Sequence, residues 1–172
     1  MKRILLMLAF SLAGATAAFG QAGHAGQENN LRGLKGVRLV VMFARAEAID
    51  EAERPAILKL VETDASAKLK KAGIPLFKFT NEVEEAGFPD LIVYLTADKP
   101  NGFVYPLVTK VQLLQRVRLA RDPSIEADLV TWEHYGIGGP TLTVELIRSL
   151  AAGEIDQFIK DYAAVNSTGA RH

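Results

Sequence analysis

The strongest pattern along the chain is the alternation of apolar and polar positions through residues 103–119. A period of two is typical of a β-strand that places one face on a core. Residues 121–124 contain Asp and Pro and predict a turn, after which residues 125–135 return as a partner strand. The pattern therefore predicts a long hairpin over residues 103–137, which either bends or projects from a small domain.

Shorter apolar runs predict three further strands. Residues 36–43 and 90–96 are almost entirely apolar, which is the pattern of strands that are covered on both faces. Residues 74–80 follow a glycine and predict a short strand between these two.

Two segments have apolar positions at helical spacing instead. In residues 55–72 the apolar side chains recur every three or four positions, and Gly73 is placed to end the helix. A second stripe between Leu146 and Val165 predicts the last helix. The order β-α-β-β-β-β-α indicates an α/β (α+β) fold with a mixed sheet of about five strands. We expect both helices on one face of this sheet and a right-handed first crossover.

The first twenty residues have the three parts of a secretory signal peptide. Lys2 and Arg3 precede an apolar run, and small residues end this run before Gln21. The run is shorter than the roughly 20 apolar residues that a membrane-spanning helix needs. We therefore expect cleavage after residue 20, or after Ala17, and a periplasmic or secreted product without a stable membrane anchor.

The remaining chain divides into three parts. Residues 21–35 are rich in Gly, Ala and Asn without periodicity and predict a flexible leader. Residues 36–166 have the size and pattern of a single α/β domain, and residues 167–172 predict a disordered tail.

Composition excludes several classes of protein. The whole chain has 20 basic and 20 acidic residues, a balance that argues against binding to nucleic acid. It contains no cysteine, so disulfides, thiol catalysis and a lipid-modified cysteine are excluded. The stability of the domain must therefore come from its core.

Motifs for catalysis, cofactors and metals are weak. The glycines at 136, 138 and 139 precede the last helix, but Thr141 stands where a dinucleotide-binding turn needs its third glycine. A tight turn is the favoured interpretation. His24 and His172 lie in the expected leader and tail, so no metal-ligand spacing is present. No G-x-S-x-G motif occurs either. The sequence accordingly predicts no catalytic residue, no cofactor and no metal.

Three residues of the returning strand are candidates for binding. Trp132 and His134 share one face of this strand, and Tyr135 points to the other face. An exposed Trp and His pair could form a binding platform, whereas a packed Trp beside a hydrogen-bonded His is the commoner arrangement.

Three arginines complete the set of candidate binding residues. Arg116 and Arg118 lie in the hairpin, where they could meet a partner strand or prevent strand addition at an edge. Arg45 follows the first strand, and together with the loop of residues 81–87 it could line a crevice for a small ligand.

The chain also resembles a known kind of protein. The pattern is carried by residues 91–95, a long strand over 105–119, Thr131-Trp132-Glu133, Gly136 and a closing segment at 161–166. In this combination the chain resembles a family of small exported bacterial proteins of unknown function. The layout is similar to small α/β modules of envelope proteins, such as the amino-terminal domain of TolB. The resemblance implies an envelope location and brings no catalytic residues.

These observations favour a non-catalytic accessory module that binds another envelope protein through the hairpin and the sheet face near Trp132. A small-ligand-binding protein is the alternative, and a hydrolase using His134 is the third. The hairpin at 103–137 is also a candidate surface for homo-oligomer formation.

Overall fold

The computed structural model describes residues 26–78, 87, 89–103, 105–139 and 141–166. These residues form a mixed α+β fold with two helices and a four-stranded mixed sheet. The elements are β1 (Arg38–Arg45), α1 (Arg54–Lys71), β2 (Asp90–Thr96), β3 (Val108–Leu119), β4 (Asp122–Ile137) and α2 (Val144–Asn166). Short 3-10 turns lie at Gln27–Leu31 and Pro100–Gly102.

The strands lie in the order β1-β2-β3-β4. β1 and β2 are parallel, because α1 carries the chain back between them, and the other two pairings are antiparallel. The prediction of about five strands is wrong for the described residues. In the segment expected to form the second strand, Leu76 makes an isolated parallel bridge to Val37. Pro75, which has no N–H to donate, precedes Leu76 and shortens the pairing there.

Both helices pack on one face of the sheet, as the apolar stripes indicated. The core combines side chains from both layers, including Val61, Leu69, Leu91, Val93, Leu95, Val111, Ile155 and Phe158. Arg148 of α2 donates to Asp64 of α1 at 2.7 Å, and this hydrogen bond holds the pKa of Asp64 below its usual value. The two helices are thus joined by an ion pair at the surface of their contact.

The described part of the expected leader is packed onto the domain. Leu31 and Leu34 are buried in the core. The side-chain amide of Asn166 donates to the Leu31 carbonyl at 2.8 Å, and its oxygen accepts from the Gly33 N–H at 2.8 Å. These contacts fix residues 26–35 against the end of α2. The expected signal peptide and the tail at residues 167–172 lie outside the described residues.

β3 and β4 continue beyond the other strands. β2 pairs only with the Val108 to Leu114 part of β3, so residues 115–129 form a two-stranded projection, here called the ribbon. The strands connect through Ala120 and Arg121, and Asp122 already pairs with Leu119. The expected turn therefore begins one residue earlier than the sequence indicated.

Replacement of Gly36 by Ala is expected to destabilise the entry to the sheet. A Cβ at this position would lie 2.6 Å from the Pro75 carbonyl oxygen and 2.9 Å from the ring of Phe77. The neighbouring hydrogen bond from Val37 N–H to Pro75 O, 3.0 Å long, fixes that backbone in place. We expect a loss of about 1–3 kcal/mol in the free energy of unfolding, measured by urea denaturation. Lys35→Ala, at an exposed position, is the control, and equal stability of both variants would contradict the close approach.

Candidate interaction surfaces

Trp132 belongs to the core. Its side chain is 2% exposed and packs edge-on against Phe158, with 5.1 Å between the ring centroids. The indole N–H donates to Asp161 at 3.0 Å, so its one polar group has a partner. β4 turns this face toward α2, which covers it. The structure therefore favours the packed alternative for Trp132 over an exposed platform.

His134 lies on the same face and is also enclosed. Its ring stacks on Trp132 at 6.2 Å, and its Nδ1 contacts the carboxylate of Glu154 in α2. The two side chains are only 12% and 9% exposed. Gly136 makes room for this arrangement, because a Cβ there would collide with the Glu154 carboxylate. The pair couples β4 to α2 and leaves little access for a substrate.

A hydroxyl group lies on the same face as this pair. Thr109 is directly opposite Gly136 in the neighbouring strand and is fully buried. Its Oγ1 has no hydrogen-bond partner among the described residues. The hydrolase alternative requires an acid, a hydroxyl and room for a substrate around His134. The acid and the hydroxyl are present on this face, but α2 fills the space above them.

Arg116 and Arg118 form cross-strand ion pairs on one side of the ribbon. Arg116 pairs with Asp128 at 3.1 Å and Arg118 with Glu126 at 2.9 Å. Directly opposed opposite charges stabilise a strand pair modestly and keep its surface solvated. These arginines are therefore engaged within the hairpin, where they make one side of the ribbon polar and electrically balanced.

Arg45 is exposed and pairs with Asp98 at 2.8 Å. The hydrogen bond from Arg45 lowers the pKa of the Asp98 carboxyl. Of the loop that was expected to complete a ligand crevice with Arg45, only Gly87 is among the described residues. The contact of Arg45 that the structure shows is thus an ion pair between the ends of β1 and β2.

The other side of the ribbon is mainly aliphatic, although Gln115, opposite Leu129, and Asp122, opposite Leu119, also lie there. Val117 pairs with Ala127, while Leu119 and Leu129 lie on the same side above and below them. This apolar ribbon side continues from the buried Leu113 but runs beyond the core. Leu129 is 46% exposed, and Ile125 near the tip is 42% exposed. The ribbon is therefore amphipathic, with ion pairs on one side and exposed aliphatic groups on the other.

A second apolar surface is the face of the sheet opposite to the helices, here called the open face. It carries Tyr135, which is 48% exposed, and Ile137, which is 62% exposed. Its other apolar side chains are Val40, Met42, Ile92, Tyr94, Val108, Leu114 and Val130. The apolar runs of β1 and β2 suggested strands covered on both faces. Among the described residues, the helices cover only one.

Two side-chain amides form hydrogen bonds with the edge of β4. Neither was predicted from the sequence. Gln27 accepts from the Glu133 N–H at 2.7 Å, and Asn30 donates to the Thr131 carbonyl at 2.7 Å. They lie three residues apart in a 3-10 turn and so point the same way. A depression of about 330 Å³ is lined by these residues and by Gln112. The spacing of the two amides was a signal, but it lay in a segment without hydrophobic periodicity.

Comparison with protein-family models and with curated proteins does not assign a function to these surfaces. No protein-family model matches the chain, and no curated protein matches it significantly. In the described part of the chain, no helix is both long and apolar enough to cross a membrane. No three metal-ligating side chains cluster there either. What the protein does is therefore inferred from its own residues.

Proposed function

We propose that the protein is an exported, non-catalytic accessory module of the bacterial envelope that binds another envelope protein through the ribbon. One observation carries this proposal. The ribbon projects beyond the sheet with an aliphatic side that contains Leu129, whereas its other side is neutralised by ion pairs.

The physical basis is the cost of leaving aliphatic side chains in water. Burial of apolar surface contributes roughly 25 cal/mol per Å² to binding or folding. A contiguous apolar patch that remains exposed is therefore typical of an interaction site. Leu129 remains exposed although the buried residues Leu113 and Trp132 begin the same side of the hairpin. A partner with an apolar groove would extend this buried layer along the ribbon.

Two hydrogen bonds at the edge of β4 support a partner on the side of the ribbon rather than along the full edge of this strand. Gln27 and Asn30 already bind the edge at Thr131 and Glu133. Strand addition along the whole edge would have to displace both amides.

Export itself is supported by the basic and apolar pattern of residues 1–20.

Site-specific photo-cross-linking tests the proposal. The full chain, with its own leader, is produced in its native host with a photoreactive residue at position 129 or at position 128. These neighbours point to opposite sides of the ribbon, and both are exposed. We expect one discrete product with another protein from position 129, none from position 128, and at least about tenfold less product after Val117→Asp, a change on the same side as Leu129.

Equal products from both positions, or no product from either, would overturn the ribbon as the binding site. In that case a polar ligand that raises the melting temperature, and no longer does so in Gln112→Ala, would favour a small-ligand-binding protein whose site is not the crevice expected at Arg45. Such a ligand would occupy the depression beside Gln27 and Asn30.

A further inference from the structure

We propose that the exported protein forms a two-fold symmetric dimer by packing its open face against the open face of a second copy. This inference goes beyond the proposed function and uses a different surface. The apolar ribbon side points to the helix layer, whereas the open face lies on the opposite side of the sheet.

The strand register arranges the open face in four rows across the sheet. Each row contains residues that are directly opposite one another in neighbouring strands. The rows are Arg38, Asp90, Leu114 and Val130; Val40, Ile92, Gln112 and Glu133; Met42, Tyr94, Lys110 and Tyr135; and Thr96, Val108 and Ile137.

Under one two-fold symmetry, the rows of one copy face complementary rows of a second copy. A two-fold axis that runs across the strands, between the second and third rows, places each strand over its own copy. The axis exchanges the second row with the third and the first row with the fourth. Val40 and Ile92 then meet Met42 and Tyr94 of the second copy. Isologous contacts of this kind are the usual basis of soluble homodimers.

The outer rows match in the same way. Leu114 in β3 meets Val108 of the second copy, and Val130 in β4 meets Ile137. Val130 and Ile137 are exposed in the single chain, so this contact would remove aliphatic surface from water. Aligned sheets pack about 30° apart, an angle that keeps facing rows in register near the centre.

The charges on the open face follow the same symmetry. Lys110 lies over the Tyr94 ring, with 5.2 Å between Nζ and the ring centroid. Glu133 accepts from the Gln112 amide at 2.8 Å. Neither residue is in an ion pair within the described part of the chain. The axis places Lys110 of each copy over Gln112 and beside Glu133 of the other, which creates two equivalent ion pairs.

The charge balance of this face favours a second copy over a partner of a single charge sign. Arg38 pairs with Asp90 in the first row, and Lys110 and Glu133 balance one another in the middle rows. With residues 1–20 removed as proposed, the longest segment within residues 21–172 that lies outside the described residues is 79–86, and its eight residues are too few to cover four strands.

The size of the face fits a modest dimer. Six residue steps along the strands and four strands across give roughly 20 Å by 19 Å in projection. With its side chains included, the area of the face approaches the lower end of the range for specific interfaces, which is about 600 Å² buried per partner. We therefore expect a dissociation constant on the order of micromolar rather than nanomolar.

A charge-exchange experiment tests both the dimer and its symmetry. The full chain is expressed with its leader, and the exported product is studied by sedimentation equilibrium and native mass spectrometry. Lys110→Glu alone places two carboxylates at each contact, and Glu133→Lys alone places two ammonium groups there. We expect each variant to dimerise at least about tenfold more weakly than the wild type.

An equimolar mixture of the two variants should recover the wild-type affinity as a heterodimer. In that heterodimer both contacts again join opposite charges, one pair reversed and one native. Lys70→Glu, on the exposed side of α1, is the control and should leave dimerisation unchanged. Circular dichroism verifies that each variant is folded, and Tyr135→Asp provides a second disruption of the face.

Three results would overturn the inference. They are a protein that stays monomeric up to about 100 μM, a dimer that neither charge variant weakens, and a mixture that does not form heterodimers. None of them bears on the ribbon, because cross-linking at position 129 is scored separately by the mass of its product. A partner cross-linked from position 129 in a monomeric Lys110→Glu protein would show that the two surfaces act independently.

Discussion

Trp132→Ala is expected to lower the free energy of unfolding by about 3–5 kcal/mol, the usual cost of truncating a buried large aromatic side chain. The substitution opens a cavity between β4 and α2 where the indole contacts Phe158. It also removes the donor to Asp161, whose carboxylate is partly buried. Urea denaturation followed by circular dichroism measures the loss.

Two further variants separate the contributions to this loss. Trp132→Phe keeps most of the packing but removes the indole N–H, so we expect it to cost about 1–2 kcal/mol. Tyr135→Ala, three residues later on the open face, should cost less than about 1 kcal/mol in the monomer. A Trp132→Ala protein as stable as Tyr135→Ala would show that β4 presents the opposite face to α2.

His134→Leu is expected to cost about 3–5 kcal/mol, because it leaves the buried Glu154 carboxylate without its partner. The double variant His134→Leu/Glu154→Met replaces both members by apolar groups of similar size. We expect it to recover most of the loss, which a double-mutant cycle measures as a coupling energy. Additive losses in the double variant would contradict a direct contact between the two side chains.

Gly136 provides an independent check of the same arrangement. Gly136→Ala should cost about 1–3 kcal/mol in the wild type, because the new methyl group displaces the Glu154 carboxylate from His134. In a Glu154→Ala background this obstacle is absent, so the same substitution should cost much less. The difference between the two backgrounds reports the position of Glu154 above the strand.

Several elements could be predicted because their signals are local. The stripe in residues 55–72 and the glycine after it correspond to α1, which ends at Lys71. The alternation after residue 103 corresponds to β3 and β4, although β3 begins only at Val108. The described residues 74–78 form only an isolated bridge, because a short apolar run contains no information about the neighbour with which it must pair. Leu76 pairs with Val37 in a single bridge, and the pairing extends no further among these residues.

The candidate site residues were harder to interpret, because their partners are distant in sequence. The sequence placed Trp132 and His134 on one face of a strand, but it did not indicate that α2 covers this face. It offered Arg116 and Arg118 as binding residues without showing Asp128 and Glu126 opposite them. In each case the partner is selected by hairpin register or helix packing.

The sequence by itself determined the local elements of this protein: two amphipathic helices, a long alternating hairpin and a chain without cysteine chemistry. Tertiary structure alone decided which side of each strand is covered. Alternation states only that successive side chains point to opposite faces, and either face can become the core. The position of α2 buries Trp132 and leaves Tyr135 exposed, so the surfaces available for binding follow from long-range packing.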